Sequence, residues 1–258
     1  MGETSSKMQT NDDHRLIILT GPSCVGKTPL LSALKRYYAS ILGNIDEAVL
    51  YTSRAPRPGE QEGIDYIFRT RAFIENLHKQ KKYLVKKIRN DTLAFDLENA
   101  KEKLKKKDLL YVGNTFFAEL LLAHKALKEV RKKSLFISPV SKEEIGCLRS
   151  MHERVDLKEV ITGIMRKKLL RRESKQKGLL SLVDLNDIEL RAHTAYDELK
   201  LAYVFDCIIV NHDGEDSDNW QSFGYPLGDA YRSLLTLVDL LTEKSSFHAE
   251  QWTKQLLD

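Results

Sequence analysis

The chain contains 258 residues, of which 42% are hydrophobic and 30% are charged. This composition can build a buried core and excludes a disordered or collagen-like chain, and no apolar run approaches the roughly 18 residues that a membrane-spanning helix needs. The net charge of +4 conceals a basic middle section, residues 79–177, with 27 lysines and arginines against 13 acidic residues, which favours an anionic substrate or partner.

Strand-like and helix-like patterns alternate from residue 15 onward. The run LIILT at 16–20 predicts a buried strand, and a glycine-rich turn and a helix over 29–42 follow it. A second strand is predicted over 47–54. The segment 56–63 is dense in Pro and Gly and therefore predicts a loop.

The second half of the chain continues the alternation. The lysine-rich stretch 71–107 predicts helix. The elements predicted after it are strands at 108–114 and 134–140 with a helix between them, a mostly helical region over 141–200, a strand over 203–211, a loop over 212–228 and a helix over 229–244. Strands that alternate with helices indicate an α/β fold with a central parallel sheet.

Residues 21–28 read GPSCVGKT and match the phosphate-loop pattern G-x4-G-K-[ST]. Glycines let several backbone N–H groups face one phosphate chain, the lysine reaches the outer phosphates, and the hydroxyl of Thr28 is a ligand for Mg²⁺. The flanking strand and helix supply the context that this motif requires. The sequence thus predicts ATP-binding residues Gly21, Ser23, Cys24, Val25, Gly26, Lys27 and Thr28, with Lys27 also catalytic.

A second signature, TSRAPRPGEQEGIDYIF, occupies residues 52–68. Arg54 and Arg57 surround a proline, and an Asp65-Tyr66 pair follows. Guanidinium groups suit phosphate because their forked donors make paired, charge-assisted hydrogen bonds, and a tyrosine hydroxyl adds a neutral donor. From residue types alone, a solvated surface loop is an equal alternative.

This segment resembles the guanylate kinase family, whose pattern is close to T-[TS]-R-x-P-R-x-G-E-x-x-G-x-D-Y-x-F. The matching residues are Thr52, Ser53, Arg54, Pro56, Arg57, Gly59, Glu60, Gly63, Asp65, Tyr66 and Phe68. The phosphate loop, LFISPVSKEEI at 135–145 and FDCIIVNHD at 205–213 are also similar to family motifs and keep their order.

The resemblance implies a P-loop NTPase-type, three-layer α/β fold over residues 15–245, with a central parallel sheet. It implies an inserted part that binds a nucleoside monophosphate, at about 47–107, and a helical lid at about 141–191. Residues 1–14 are then expected to be a disordered N-terminus and residues 246–258 a C-terminal tail.

The activity that the resemblance implies is transfer of a phosphoryl group from ATP to a nucleoside monophosphate, GMP foremost, with Mg²⁺. Arg54, Arg57 and Tyr66 would bind the acceptor's phosphate. Lid arginines would neutralise charge that develops during transfer. The basic candidates in the lid are Arg149, Arg154, Arg166, Arg171, Arg172 and Arg191. Arg166 and Arg172 are selected as catalytic, although an apparent insertion near 174–190 leaves the alignment of the lid open.

The sequence departs from the family pattern where guanine is read. Val85 stands where the family has a glutamate, and Ala94 or Phe95 falls near the position of the second phosphate-binding tyrosine. The strand at 108–114 lacks the family's aspartates at the matching places. Possible substitutes are Asp91, Asp96, Glu98 and Asn114, each of which also suits a surface or turn.

Three other functions stay open: a degenerate guanylate-kinase-like binding or scaffold domain, a P-loop kinase for another phosphorylated acceptor, and a nucleic-acid-binding module. No RNA- or DNA-binding signature accompanies the lysines, which disfavours the last. The three cysteines are odd in number and form no CxxC pair, and the N-terminus lacks the apolar segment of a signal peptide. A cytoplasmic protein without a membrane partner is therefore expected. The partners that the resemblance implies are nucleotide substrates.

Overall fold

The computed structural model describes residues 14–57, 59–151 and 155–257. Its strands are β1 (Leu16–Thr20), β2 (Ile45–Glu47), β3 (Leu50–Thr52), β4 (Tyr66–Phe68), β5 (Tyr83–Ile88), β6 (Asp91–Asp96), β7 (Asp108–Gly113), β8 (Lys132–Ser138), β9 (Cys207–Val210) and β10 (Ala249–Glu250). Its α-helices are α1 (Lys27–Tyr37), α2 (Ala39–Leu42), α3 (Arg71–Leu77), α4 (Leu97–Leu104), α5 (Thr115–Ala123), α6 (Lys142–Ser150), α7 (Leu157–Lys177), α8 (Leu182–Lys200) and α9 (Gly228–Leu241).

The larger sheet has six strands in the order β10-β9-β8-β1-β7-β2. All of its paired strands run parallel except β10, which is antiparallel to β9. Every residue of the central strand β1 is buried, as expected when helices cover both faces of a parallel sheet. This arrangement confirms the predicted α/β fold with a central, mostly parallel sheet.

The two faces of β1 belong to two different hydrophobic cores. Leu16 and Ile18 pack in the core that includes residues of α5, α7 and α8, whereas Ile17 and Leu19 pack in the core formed with α1 and α9. Because side chains of a strand point alternately to opposite faces, one apolar pentapeptide can hold both layers of helices.

A second sheet of four strands, in the order β4-β3-β6-β5, carries α3 on one face. Its other face contributes Leu50, Leu84 and Phe95 to the core that contains α7 and α8. The prediction of helix throughout 71–107 is wrong in its middle, because β5 and β6 form an antiparallel hairpin there. Leu84 and Ile88 are buried on one face of β5, but Lys86 stands between them on that face, so the sequence shows two apolar residues four apart, a spacing that a helix shares.

Other predicted bounds differ by less. The predicted strand 47–54 is divided between β2 in the larger sheet and β3 in the smaller one. The predicted helix 29–42 begins at Lys27 and is interrupted at Tyr38, whose backbone leaves the helical region with φ −133° and ψ 40°. The expectation of disorder over residues 1–14 falls, apart from His14, outside the described residues.

The last residues of the chain pack on the domain. Ala249 and Glu250 extend the larger sheet along β9. Trp252 and Leu257 are buried in the core that contains α7 and α8, and the Tyr196 hydroxyl donates to the carbonyl of Leu257 at 3.2 Å. No helix of the described residues is long and apolar enough to cross a membrane.

Replacing Trp252 by alanine should lower the free energy of unfolding by about 3 kcal/mol, because it leaves a large cavity in a core. Denaturant unfolding of the full chain measures this. Phe247→Ala is the matched control, since the Phe247 ring lies in the same segment but is 97% exposed, and its effect should stay within about 0.5 kcal/mol. Equal effects of the two substitutions would show that the segment does not support the core.

Candidate functional site

The phosphate loop connects the end of β1 to the start of α1. Gly21 and Gly26 have φ angles of +145° and +100°. A Cβ atom added at Gly21 would lie 2.3 Å from the carbonyl oxygen of Ile137, and one at Gly26 would lie 2.3 Å from Nδ2 of Asn211. Both positions therefore require glycine, for backbone conformation and for space.

Lys27 is the first residue of α1, and its ammonium group turns back over the loop. It donates to the carbonyl oxygens of Gly21 at 2.7 Å and Pro22 at 2.6 Å. Burial lowers its pKa below the ordinary value, against the opposing charges of Glu215 and Glu198. Thr28 follows on the helix with an exposed side chain, so its hydroxyl is accessible to a metal ion or to solvent.

The other predicted residues of the loop have mainly structural roles in this conformation. Cys24 is 1% exposed and has a φ of +67°. Burial, followed by the charge of Glu215, raises the pKa of its thiol to about 12, so the side chain fills space and is not a nucleophile. The carbonyl of buried Val25 accepts a hydrogen bond from Asn211 at 2.8 Å.

Residues 211–220 lie directly against the phosphate loop. The amide nitrogen of Gly26 donates to Oε2 of Glu215 at 2.9 Å. Trp220 braces this segment, because its Nε1 donates to the carbonyls of Asp213 and Gly214 at 2.9 and 3.0 Å. A carboxylate of the chain itself thus occupies a backbone donor of the kind that phosphate loops use for anions.

Arg54 is held by Glu60 on the second signature. Its Nη1 and Nη2 donate to the two carboxylate oxygens at 2.6 and 2.5 Å, and its guanidinium carbon lies 4.8 Å from the centre of the Tyr66 ring. Burial acts to lower the pKa of Arg54, but the hydrogen bonds and charge of Glu60 outweigh it and the pKa is raised. Glu60 also accepts from the backbone N–H of Arg57 at 2.8 Å, so one carboxylate organises both arginines.

Arg172 of α7 and Arg191 of α8, both in the predicted lid, act electrostatically on this pair. Desolvation, followed by the charges of Arg54 and Arg172, lowers the pKa of Arg57. The pKa of Arg191 falls to about 10, chiefly through burial and through the charges of Arg57 and Arg172. The Nε atoms of Arg172 and Arg191 are buried and have no hydrogen-bond partner among the described residues. Cations from the second signature and the lid therefore converge beside the phosphate loop.

The comparisons with known proteins agree with this geometry. The family model described as guanylate kinase matches residues 13–154, which is more than half of the chain. The chain belongs to the guanylate kinase family. The crystal structure of guanylate kinase from Anaplasma phagocytophilum has the same fold, with a TM-score of 0.52 and 18% identity, over 92% of this chain and 89% of that chain.

Sequence similarity to curated guanylate kinases is local. The guanylate kinase of Synechococcus sp. (strain JA-3-3Ab) is 48% identical over 63 residues, which are 24% of this chain and 27% of that protein. The guanylate kinase of Rickettsia bellii (strain RML369-C) is 39% identical over 75 residues, which are 29% of this chain and 37% of that protein. The matched regions thus span about a third of these relatives' lengths.

Arg166, which is predicted from the sequence to be catalytic, pairs with a glutamate of the neighbouring helix. Its Nε and Nη2 donate to the carboxylate of Glu189 at 2.6 and 2.8 Å, so it ties α7 to α8. Of the other lid candidates, Arg171 lies 3.8 Å from Asp216 and is 70% exposed, and Arg149 donates to carbonyls near the C-terminus. Arg154 lies outside the described residues.

The positions that the resemblance assigns to guanine reading and to the second phosphate-binding tyrosine are occupied by apolar or structural side chains. Val85 and Ala94 pack with Ile74 of α3 in a small hydrophobic cluster. Asp96 and Asn114, considered as substitutes, cap helices: they accept from the backbone N–H of Asn99 and of Phe116, respectively, each at 2.9 Å. Capping already uses these oxygens, which explains their presence without a base.

Sequence reasoning missed Arg89 and Glu198 and did not select Arg191. Arg89 donates from Nη2 to Oε1 of Glu198 at 2.8 Å and from Nη1 to Oγ of Ser23 in the phosphate loop at 3.4 Å. The sequence offered a signal that could have paired Arg191 with Glu198, because residues seven apart share one face of a helix. For Arg89 there was none, since its contacts are distant in sequence.

Glu215→Gln should strengthen the binding of tripolyphosphate, measured by titration calorimetry. The Glu215 carboxylate and a phosphate at the Gly26 amide would both be negative. At about 4 Å and an effective dielectric constant near 20, two such charges repel by about 4 kcal/mol, and removing a third of this repulsion strengthens binding about tenfold. Asp218→Asn is the matched control, because it removes the same charge from the same segment and its side chain is 86% exposed. Equal affinities in the two variants would contradict competition at Gly26.

Proposed function

We propose that this protein is a cytoplasmic enzyme that transfers the terminal phosphoryl group of ATP to a nucleoside monophosphate, with GMP as the foremost acceptor. The observation that carries the proposal is the convergence of the phosphate loop, the Arg54–Arg57 pair and the lid arginines Arg172 and Arg191. Arg172 is close enough to both Arg57 and Glu215 for their charges to act on one another. A site with these cations suits two phosphate-bearing substrates held end to end.

The donor side of the site is the loop from Gly21 to Thr28. The Gly26 amide and the N-terminal end of α1 would bind phosphate oxygens, and Lys27 would exchange its bonds to loop carbonyls for bonds to the outer phosphates. The Thr28 hydroxyl would hold Mg²⁺, an ion that takes few protein ligands when phosphates and waters supply the rest. When bound, Mg²⁺ would supply positive charge that offsets the negative charge of the phosphates.

The acceptor side comprises Arg54, Arg57 and Tyr66, held in place by Glu60. The Glu60 carboxylate now takes both outer nitrogens of Arg54, so an acceptor phosphate would compete with it or bind the remaining donors. The division into an acceptor-binding part at about 47–107 and a lid at about 141–191 belongs to this proposal.

Transfer of a phosphoryl group asks the protein for alignment and for positive charge, and little covalent chemistry. Arg172 and Arg191 lie where the donor and acceptor sides meet, and each carries a buried Nε without a partner among the described residues. Negative charge between the substrates would satisfy these donors. The helices α7 and α8 that carry them would also exclude water and so suppress hydrolysis of ATP.

A second function, a binding domain without turnover, is favoured by two observations. Val85 puts an apolar side chain where the family has a base-reading glutamate, and Glu215 occupies the Gly26 amide. A third, a P-loop kinase for another phosphorylated acceptor, would use the same phosphate-binding residues with a different base or none. The decisive experiment is therefore to determine which acceptor is phosphorylated.

Purified protein with ATP and Mg²⁺ should convert one member of a panel of GMP, dGMP, AMP, UMP and CMP to the diphosphate. Lys27→Ala should reduce turnover by at least about 100-fold, because it removes the cation of the donor side. Lys35→Ala, an exposed lysine on the same helix, is the control and should leave turnover unchanged. Binding of ATP without formation of any diphosphate would refute the kinase and support the binding domain.

Arg54→Ala should raise the KM of the acceptor by about tenfold or more while changing the KM of ATP little, because the residue lies on the acceptor side. Arg69→Ala is the control, since Arg69 directly follows the second signature and pairs with Glu62 at the surface. Equal increases in the two KM values for Arg54→Ala would count against its assignment to the acceptor.

A further inference from the structure

Arg89 occupies a strained position at the tip of the hairpin between β5 and β6. It is the first of the two residues that join these strands and has a φ of +53°. A side-chain-bearing residue rarely adopts this left-handed conformation, and Asn or Gly normally takes such turns. Strain of this kind persists where the surroundings require the side chain at that place.

The guanidinium of Arg89 points from the acceptor-binding part onto the phosphate loop. Nη2 donates to Glu198 at 2.8 Å and Nη1 to the Ser23 hydroxyl at 3.4 Å. Its side chain is 17% exposed. The Nε atom is buried and has no hydrogen-bond partner among the residues that the structure describes. An arginine with five donors is therefore only partly satisfied here.

Glu198 sets the orientation of this guanidinium. Its side chain is 1% exposed, and its second oxygen accepts from the Thr115 hydroxyl at 2.8 Å. Because Glu198 is held by Thr115, its ion pair with Nη2 fixes the guanidinium where Nη1 reaches the Ser23 hydroxyl.

The positive charges around Arg89 favour the binding of an anion. Arg89 contributes to lowering the pKa of Lys27 and of Arg191, after burial in both cases. Arg191 also feels the charges of Arg57 and Arg172. Several cations close enough to perturb one another, with unpaired donors among the described residues, suit a multiply charged phosphate group.

We propose that Arg89 binds non-bridging oxygens of the phosphoryl group as it passes from donor to acceptor, and that Glu198 is its positioning residue. The inference rests on the proposed function. Arg89 exchanges no proton: the bond from phosphorus to the donor's bridging oxygen breaks as the bond to the acceptor's phosphate oxygen forms, and Arg89 donates hydrogen bonds throughout. Because Arg89 lies on the hairpin of the acceptor-binding part and contacts Ser23 of the phosphate loop, it links the two sides of the site.

The first test is steady-state kinetics of Arg89→Gln and Arg89→Lys with ATP and the preferred acceptor. Arg89→Gln should lower kcat by about 100-fold or more. Arg89→Lys should recover part of that loss, because lysine restores the charge without the fork. Lys87→Gln is the control, since it removes one positive charge from an exposed position on the same hairpin, and its kcat should stay within about twofold of the parent's. A kcat of Arg89→Gln equal to that of Lys87→Gln would overturn the proposal.

A double variant separates this role from simple neutralisation of Glu198. Arg89→Gln alone leaves a buried carboxylate without its cation and should lower the melting temperature. The variant that carries both Arg89→Gln and Glu198→Gln loses the buried negative charge together with its cation. Its melting temperature should therefore recover while its kcat stays low. Recovery of kcat together with the melting temperature would show that Arg89 only balances Glu198, and would overturn the proposal.

Failure of the proposed function is distinguishable from failure of this inference. If the parent protein forms no diphosphate, the kinase proposal fails, and tripolyphosphate binding then tests Arg89 by calorimetry. Weaker binding by the double variant than by Lys87→Gln, at a restored melting temperature, would support an anion ligand at Arg89. Equal binding by the two would overturn it.

Discussion

The ion pair of Glu198 with Arg89 is the interaction on which the arrangement of the site depends. Glu198 lies on α8, its cation comes from the hairpin of the smaller sheet, and Thr115 comes from the start of α5 beside the larger sheet. A buried carboxylate without partners is strongly unfavourable. Helix α8, the smaller sheet and the start of α5 are therefore held in one relative position by the need to satisfy a single charge.

The rest of the site follows from the placement of positive charge around that pair. Arg54 is matched by Glu60, Arg172 by Glu173 and Arg191 by Asp187. Each carboxylate takes part of its arginine's donors, and the Nε atoms of Arg172 and Arg191 remain without a partner among the described residues. Guanidinium groups fixed in this way suit the binding of phosphate.

The segment 211–220 adds a second constraint on the phosphate loop. Its Trp220 and Asn211 fix the backbone against the phosphate loop, and Glu215 takes the Gly26 amide. Lys168 and Lys175 of α7 bond to the same segment, so the acidic loop is joined both to the phosphate loop and to the lid. Part of the basic excess seen in residues 79–177 is thus matched by acidic residues that follow it in the chain.

The local features of the site could be predicted from the sequence. The phosphate loop is encoded by a strand, two glycines and a helix start within a few residues, and its geometry is decided by backbone conformation and nearby contacts. The same is true of Arg54, Arg57 and Tyr66, which one short loop brings together. The hairpin within 71–107 was not predicted, because Lys86 interrupts the inward-facing positions between buried Leu84 and Ile88.

The sequence by itself determined the α/β class, the phosphate loop and the paired arginines beside it, since each depends on short-range order. Only the tertiary structure decided which distant arginines join them. Arg166 is turned toward Glu189 on the neighbouring helix, whereas Arg89, 109 residues before Glu198, is drawn onto the phosphate loop. The physical reason is that a buried charge must find its counter-ion in space, and the folding of three separate segments, not their local sequence, determines which counter-ion is within reach.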